Sequence, residues 1–130
     1  MPLAWLDHVN IRTANLEAMT RFYTDVLGLA LGPRPPFSFD GAWLYCGDKA
    51  AVHLVSKRDI STVESGIDHF AFRATGLAEF VNRLKANDVP YRITIVPQLE
   101  LRQVRISDPD GNRIEVAFPP EESVDPTELS

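Results

Sequence analysis

A first strand is predicted from about Trp5 to Arg12, where polar and apolar residues alternate from His8 onward with the two-residue period of a half-buried strand. Asn15 can cap a helix whose apolar residues Leu16, Met19, Tyr23, Val26 and Leu27 follow the helical period, and Gly28 ends it as a left-handed cap would. A proline-rich stretch from Gly32 to Phe39, with Pro33, Pro35 and Pro36, leads to strands predicted near Gly41–Cys46 and Ala50–Ser56, joined by a turn at Gly47 and Asp48. Residues 57–65 are polar and aperiodic and read as a linker. The plan then returns: a strand from Ile67 to Arg73, a helix carrying Leu77, Phe80, Val81 and Leu84, and strands near Tyr91–Val96, Leu101–Ser107 and Asn112–Phe118. Asp108, Pro109, Asp110 and Gly111 form a hairpin turn between the last two.

The return is a repeat in sequence as well as in pattern. LDHVNIRTANL from Leu6 matches IDHFAFRATGL from Ile67 at an offset of 61, placing Asp7 on Asp68 and His8 on His69. DKAAVHLVS from Asp48 matches DGNRIEVAF from Asp110 at an offset of 62, placing His53 on Glu115. The fold class is therefore α+β, built from two copies of one module at about 3–56 and 66–118, within a single domain over 1–118.

Strand parity states where the polar residues of these strands point. Val9 and Ile11, like Phe70 and Phe72, take the core side, which sends His8 and His69 to the other face. Val52 and Leu54, and Ile114, Val116 and Phe118, do the same for His53 and Glu115. Trp43, Tyr45, Gln103 and Arg105 share that second face, while Leu44, Val104 and Ile106 face the helices. Asp7 and Asp68 fall on the opposite parity and are expected to make strand-start or turn bonds.

All three histidines of the chain, His8, His53 and His69, thus meet Glu115 on one kind of face. A lone strand histidine is ordinarily a hydrogen-bonded structural residue, but four such residues at repeat-equivalent positions with common parity point to a metal site. If the halves pair, or pair with a second copy, that face can curl into a cup where imidazoles and a carboxylate bind one divalent ion, of Fe, Mn, Ni, Co or Zn. Trp43 and Tyr45 would give such a cup an apolar substrate wall, with Gln103 beside them and Arg105 for an anionic group.

Composition narrows the remaining classes. With 130 residues, 45% of them hydrophobic, the chain can bury a core of ordinary domain size. Four of the net five negative charges come from Glu121, Glu122, Asp125 and Glu128, so the body carries only one, and nucleic acid is not an expected partner. The segment 119–130 reads as an acidic, proline-containing, solvated tail. The single cysteine, Cys46, is expected to be buried, without an internal disulfide. No apolar run is long enough to span a bilayer and no leader pattern opens the sequence, so the expected location is cytoplasmic.

LDHVNIRT, the FYTDVLGL helix end, AWLYCGDKAAVHLV, IDHFAF and SDPDGNRIEVAF together resemble the vicinal oxygen chelate superfamily, which groups glyoxalases, bleomycin-resistance proteins and extradiol dioxygenases, over residues 3–118. The resemblance implies two βαβββ modules enclosing a metal cup, a homodimer for a chain this short, and ligands from the first and last strands of the modules: His8, His53, His69 and Glu115. It implies a metal that stabilises an enolate or other oxyanion on a small oxygen-rich substrate, in a lyase, isomerase or dioxygenase. His8, His69 and Glu115 resemble the two-histidine, one-carboxylate set of the extradiol dioxygenases and fosfomycin thiol transferases, whereas glyoxalase I members usually carry Glu or Gln where this chain has His53 or His8. His53 and Glu115 are the candidate catalytic residues, His53 as fourth ligand or general base. The alternative is a metal-free, ligand-sequestering protein of the bleomycin-resistance kind.

Overall fold

The computed structural model describes residues 5–57 and 69–130 in two compact units, Met1–Glu64 and Ser65–Ser130. Residues 58–65 of the expected linker, and Ile67 and Asp68 at the expected start of a strand, lie outside the described residues.

The first unit runs β1 (Val9–Thr13), α1 (Leu16–Arg21), β2 (Ala30–Gly32), β3 (Gly41–Cys46) and β4 (Lys49–Ser56), with its sheet ordered β1-β4-β3-β2. The second runs β5 (Phe70–Arg73), α2 (Leu77–Ala86), β6 (Arg92–Ile95), β7 (Arg102–Ser107) and β8 (Arg113–Phe118), ordered β5-β8-β7-β6. Each unit is thus βαβββ, with its first and last strands paired in parallel at one edge of the sheet. The repeat extends to register: Asn10 pairs with His53 as Ala71 pairs with Glu115, and Trp43 faces His53 as Arg105 faces Glu115.

The apolar faces read from the sequence form the cores. Met19, Tyr23, Leu44, Val52 and Leu54 are buried in the first unit, where α1 packs on β3 and β4. Leu77, Val81, Leu84, Val104, Ile114, Val116 and Phe118 are buried in the second, where the Phe80 ring meets Phe118 at 5.5 Å. The Asp108 turn is built as its residues require: the buried carboxylate accepts from the backbone of Asp110 and Asn112 and from the Asn112 side chain, and Gly111 takes a positive φ of 87°.

Four expectations are corrected. The first helix is not one α-helix to Leu27, since α1 passes at Phe22 into a π-helical turn through Val26. Thr20 and Thr24 hydroxyls donate to the carbonyls of Leu16 and Thr20, local bonding that bends a helix, before Gly28 closes it at a φ of 74°. Asn15 stands at the N-cap without a capping side-chain bond. Cys46 is exposed at the end of β3, where it pairs with Lys49 across the turn.

The tail, too, departs from expectation: it is docked on the second unit rather than solvated. The Glu122 carboxylate accepts from the Gly76 and Leu77 N–H groups and caps α2, where negative charge offsets the helix dipole. Leu129 bridges to Ile93 on the edge strand β6, and Ser130 donates to the Ile93 carbonyl. Glu128 accepts from the Tyr91 hydroxyl at 2.6 Å and pairs with Lys85 at 2.9 Å. β2 was also absent from the sequence reading, because three residues are too few to show a period. It is fixed by close packing: a Cβ on Gly32 would stand 2.7 Å from the Tyr45 ring, whose hydroxyl donates to the Pro33 carbonyl.

No helix among the described residues is long and apolar enough to cross a membrane.

Candidate functional site

In the first unit, β4 carries His53 between β1 and β3, and its ring is enclosed on both faces. His8, just before β1, stacks on it with centroids 3.9 Å apart, and Trp43 of β3 stacks on the other side at 4.0 Å, both nearly parallel. This sandwich, rather than the apolar core, leaves His53 only 8% exposed. Burial is the main cause of a lowered His53 pKa; the neighbouring His8 adds to it, while a backbone hydrogen bond at Ala50 and the charge of Asp7 oppose it. His53 Nε2 is buried and has no hydrogen-bond partner.

His8 has a partner that parity did not foresee. Its Nδ1 lies 2.8 Å from Asp7 Oδ2, and that bond is the first cause of a lowered Asp7 pKa. Asp7 and His8 both precede β1, so the pleat does not set their directions as it would inside the strand. Asp68, the repeat counterpart of Asp7, lies outside the described residues.

The second unit answers each position with charge instead of stacking. His69, just before β5, brings Nε2 to 3.2 Å from Glu115 Oε1. Gln103 Nε2 donates to the same oxygen at 2.9 Å, and Arg105 Nε donates to Oε2 at 3.2 Å. The carboxylate is therefore held by three side chains at once.

The expected substrate wall is largely occupied with supporting these groups. Trp43 covers His53, Gln103 and Arg105 hold Glu115, and the Tyr45 hydroxyl is spent on Pro33. Arg105 keeps about half of its side-chain surface exposed at 47%, so its outer edge can still meet an anion.

Among the described residues, no three His, Cys, Asp or Glu side chains gather into one cluster; each unit brings together a pair. Ligands about 2.0–2.2 Å from one ion in tetrahedral or octahedral geometry stand about 3.0–3.5 Å apart, and the His69–Glu115 separation of 3.2 Å has that value. An orphaned imidazole nitrogen on His53 likewise fits a donor or base awaiting a partner. The His8–His53 stack fits less simply. An ion in the plane of one ring lies roughly a ring spacing outside the plane of the other, so as stacked only one of the two donates in-plane to a given ion.

The model of the Glyoxalase/Bleomycin resistance protein/Dioxygenase superfamily matches residues 5–116. A glyoxalase family protein from Bacillus anthracis is similar in structure, with a TM-score of 0.75, 23% identity, and 90% of this chain and 96% of that one covered. A lactoylglutathione lyase from Agrobacterium tumefaciens matches at a TM-score of 0.66 and 21% identity, over 91% of this chain and 96% of that one. An antibiotic-binding protein from Streptomyces sp. CB03234 matches at 0.67 and 20%, over 92% and 98% respectively. At these identities the likeness shows the fold and not the activity. No curated protein sequence matches the chain.

Proposed function

Because the chain belongs to the Glyoxalase/Bleomycin resistance protein/Dioxygenase superfamily, we propose that it is a metal-dependent enzyme of the glyoxalase and dioxygenase type, acting on a small oxygen-rich organic molecule. The observation that carries the reading is the His69–Glu115 pair, an imidazole nitrogen and a carboxylate oxygen at ligand spacing, mirrored at repeat-equivalent positions by His8 and His53. His69, Glu115 and His8 would hold a divalent ion, which would supply Lewis-acid stabilisation of a developing oxyanion.

The remaining steps belong to the chain's own groups. His53, neutral at pH 7 through its lowered pKa, takes a proton at Nε2 as general base, with Trp43 fixing the plane of its ring. If His8 turns off the stack, His53 is instead the fourth ligand. Gln103 and Arg105 hold Glu115 in place, and the exposed edge of Arg105 steadies an anionic group of the substrate. A homodimer is part of this reading.

A metal-free ligand-binding protein is the second reading, favoured by the pairing of donors in twos rather than threes among the described residues. Metal analysis of protein purified without chelator, then a screen of oxygen-rich substrates with the metal found, separates the two. Stoichiometric metal with turnover supports the enzyme; ligand binding by metal-free protein, with no turnover after metal is added, supports the alternative.

A further inference from the structure

Asp7 Oδ2 lies 2.8 Å from His8 Nδ1. An ionised carboxylate only accepts hydrogen bonds, so the shared proton sits on Nδ1 and the lone pair on Nε2. A neutral imidazole in water favours the opposite tautomer, which puts its lone pair on Nδ1, beside the backbone. Two constraints therefore act on the one ring. The stack on His53, 3.9 Å away, sets its plane, and the Asp7 bond decides which edge carries the proton. A half-turn about the Cβ–Cγ bond would preserve the stack but break the bond to Asp7.

Resting on the metal reading above, we infer that Asp7 is a positioning residue: it holds His8 in the Nδ1–H tautomer and so makes Nε2 the nitrogen that His8 offers to an ion. The Asp7 side chain is 81% exposed, so its contribution is orientation and not burial, and its replacement leaves the fold intact. Carboxylates that orient ligand histidines in this way commonly govern metal affinity by about ten- to hundredfold.

The test uses the full-length protein labelled with nitrogen-15. Long-range proton–nitrogen correlation spectra of the metal-free form, with His8 assigned through His8→Gln, read its tautomer directly, and titration with Zn2+ reads affinity. Wild type should show Nδ1–H at His8. Asp7→Ala should lose that tautomer and weaken Zn2+ binding by about ten- to hundredfold. Asp7→Asn, whose amide oxygen still accepts the same bond, should restore most of both. An Nε2–H tautomer in wild type, or a Zn2+ affinity in Asp7→Ala equal to that of wild type, would overturn the inference. A wild type that shows Nδ1–H, loses it in Asp7→Ala and binds no Zn2+ would support the hold of Asp7 on His8 while overturning the metal reading.

Discussion

Trp43 lies flat against His53 with ring centroids 4.0 Å apart, at the register position that Arg105 occupies beside Glu115 in the other unit. The same strand geometry thus supports an imidazole by stacking in one module and a carboxylate by charge-assisted hydrogen bonding in the other. Each support suits what it holds. Burial between two rings favours the neutral imidazole that a ligand or base must be, and a guanidinium donates to a carboxylate in a geometry that fixes its orientation.

The stack makes Trp43 a reporter. Zn2+ binding that involves His53 or His8 should change tryptophan emission in wild type and in Trp5→Phe, since Trp5 makes no contact with the stacked rings among the described contacts. Trp43→Phe should lose that response. A full emission change in Trp43→Phe would mean that the ion does not act through the stack.

The two candidate roles of His53 separate by substitution. In His53→Ala, metal content should survive while turnover on the identified substrate falls by about a hundredfold or more if the residue is the base. If it is the fourth ligand, Zn2+ affinity falls instead. Unchanged metal content together with unchanged turnover would show that His53 does neither.

The modules, their order and their apolar faces were legible in the sequence because alternation and helical period are local properties. His53 and Glu115 could be placed on one kind of face because both lie well inside strands, where parity holds. Asp7 escaped the same reasoning because it precedes β1, and the π-helical turn because threonine back-bonding leaves the apolar spacing almost unchanged. The tail was misread for another reason. Its residues bury little apolar surface, but Glu122 and Glu128 find partners 45 and 37 positions away, which composition cannot reveal.

Docking of the tail should depend on pH at both extremes. The Tyr91 bond, then Lys85, lowers the Glu128 pKa, so this contribution is present at neutral pH and is lost as pH falls through the lowered value, below the ordinary glutamate range. Lys85 and Tyr91 are each raised chiefly by their bonds to Glu128, so theirs is complete at neutral pH and is lost as pH rises through the raised values, above the ordinary range of either group. The protection factor of the Ser130 amide, the unprotected exchange rate divided by the observed rate at the same pH, should therefore be high across the neutral range and lower at either end, and Glu128→Gln should remove the acid limb. An acid limb that persists in Glu128→Gln would contradict this assignment. Glu122→Ala, which uncaps α2, should cost about 1 kcal/mol in urea unfolding.

The homodimer expected of a short chain with this fold is checked by light scattering at micromolar concentration, where the mass should be twice the 14.5 kDa of one chain. A monomer that binds metal tightly would show that one chain completes the site alone.

The proposed hold of His8, His69 and Glu115 on a metal ion is checked by the metal content of purified protein. Mass-spectrometric metal analysis should find about one divalent ion per chain in wild type, with retention falling as acid protonates the imidazoles. The triple alanine variant at these three positions should retain almost none while its circular dichroism stays close to wild type. Stoichiometric metal in that variant, or none in wild type after loading with each candidate ion, would contradict the account.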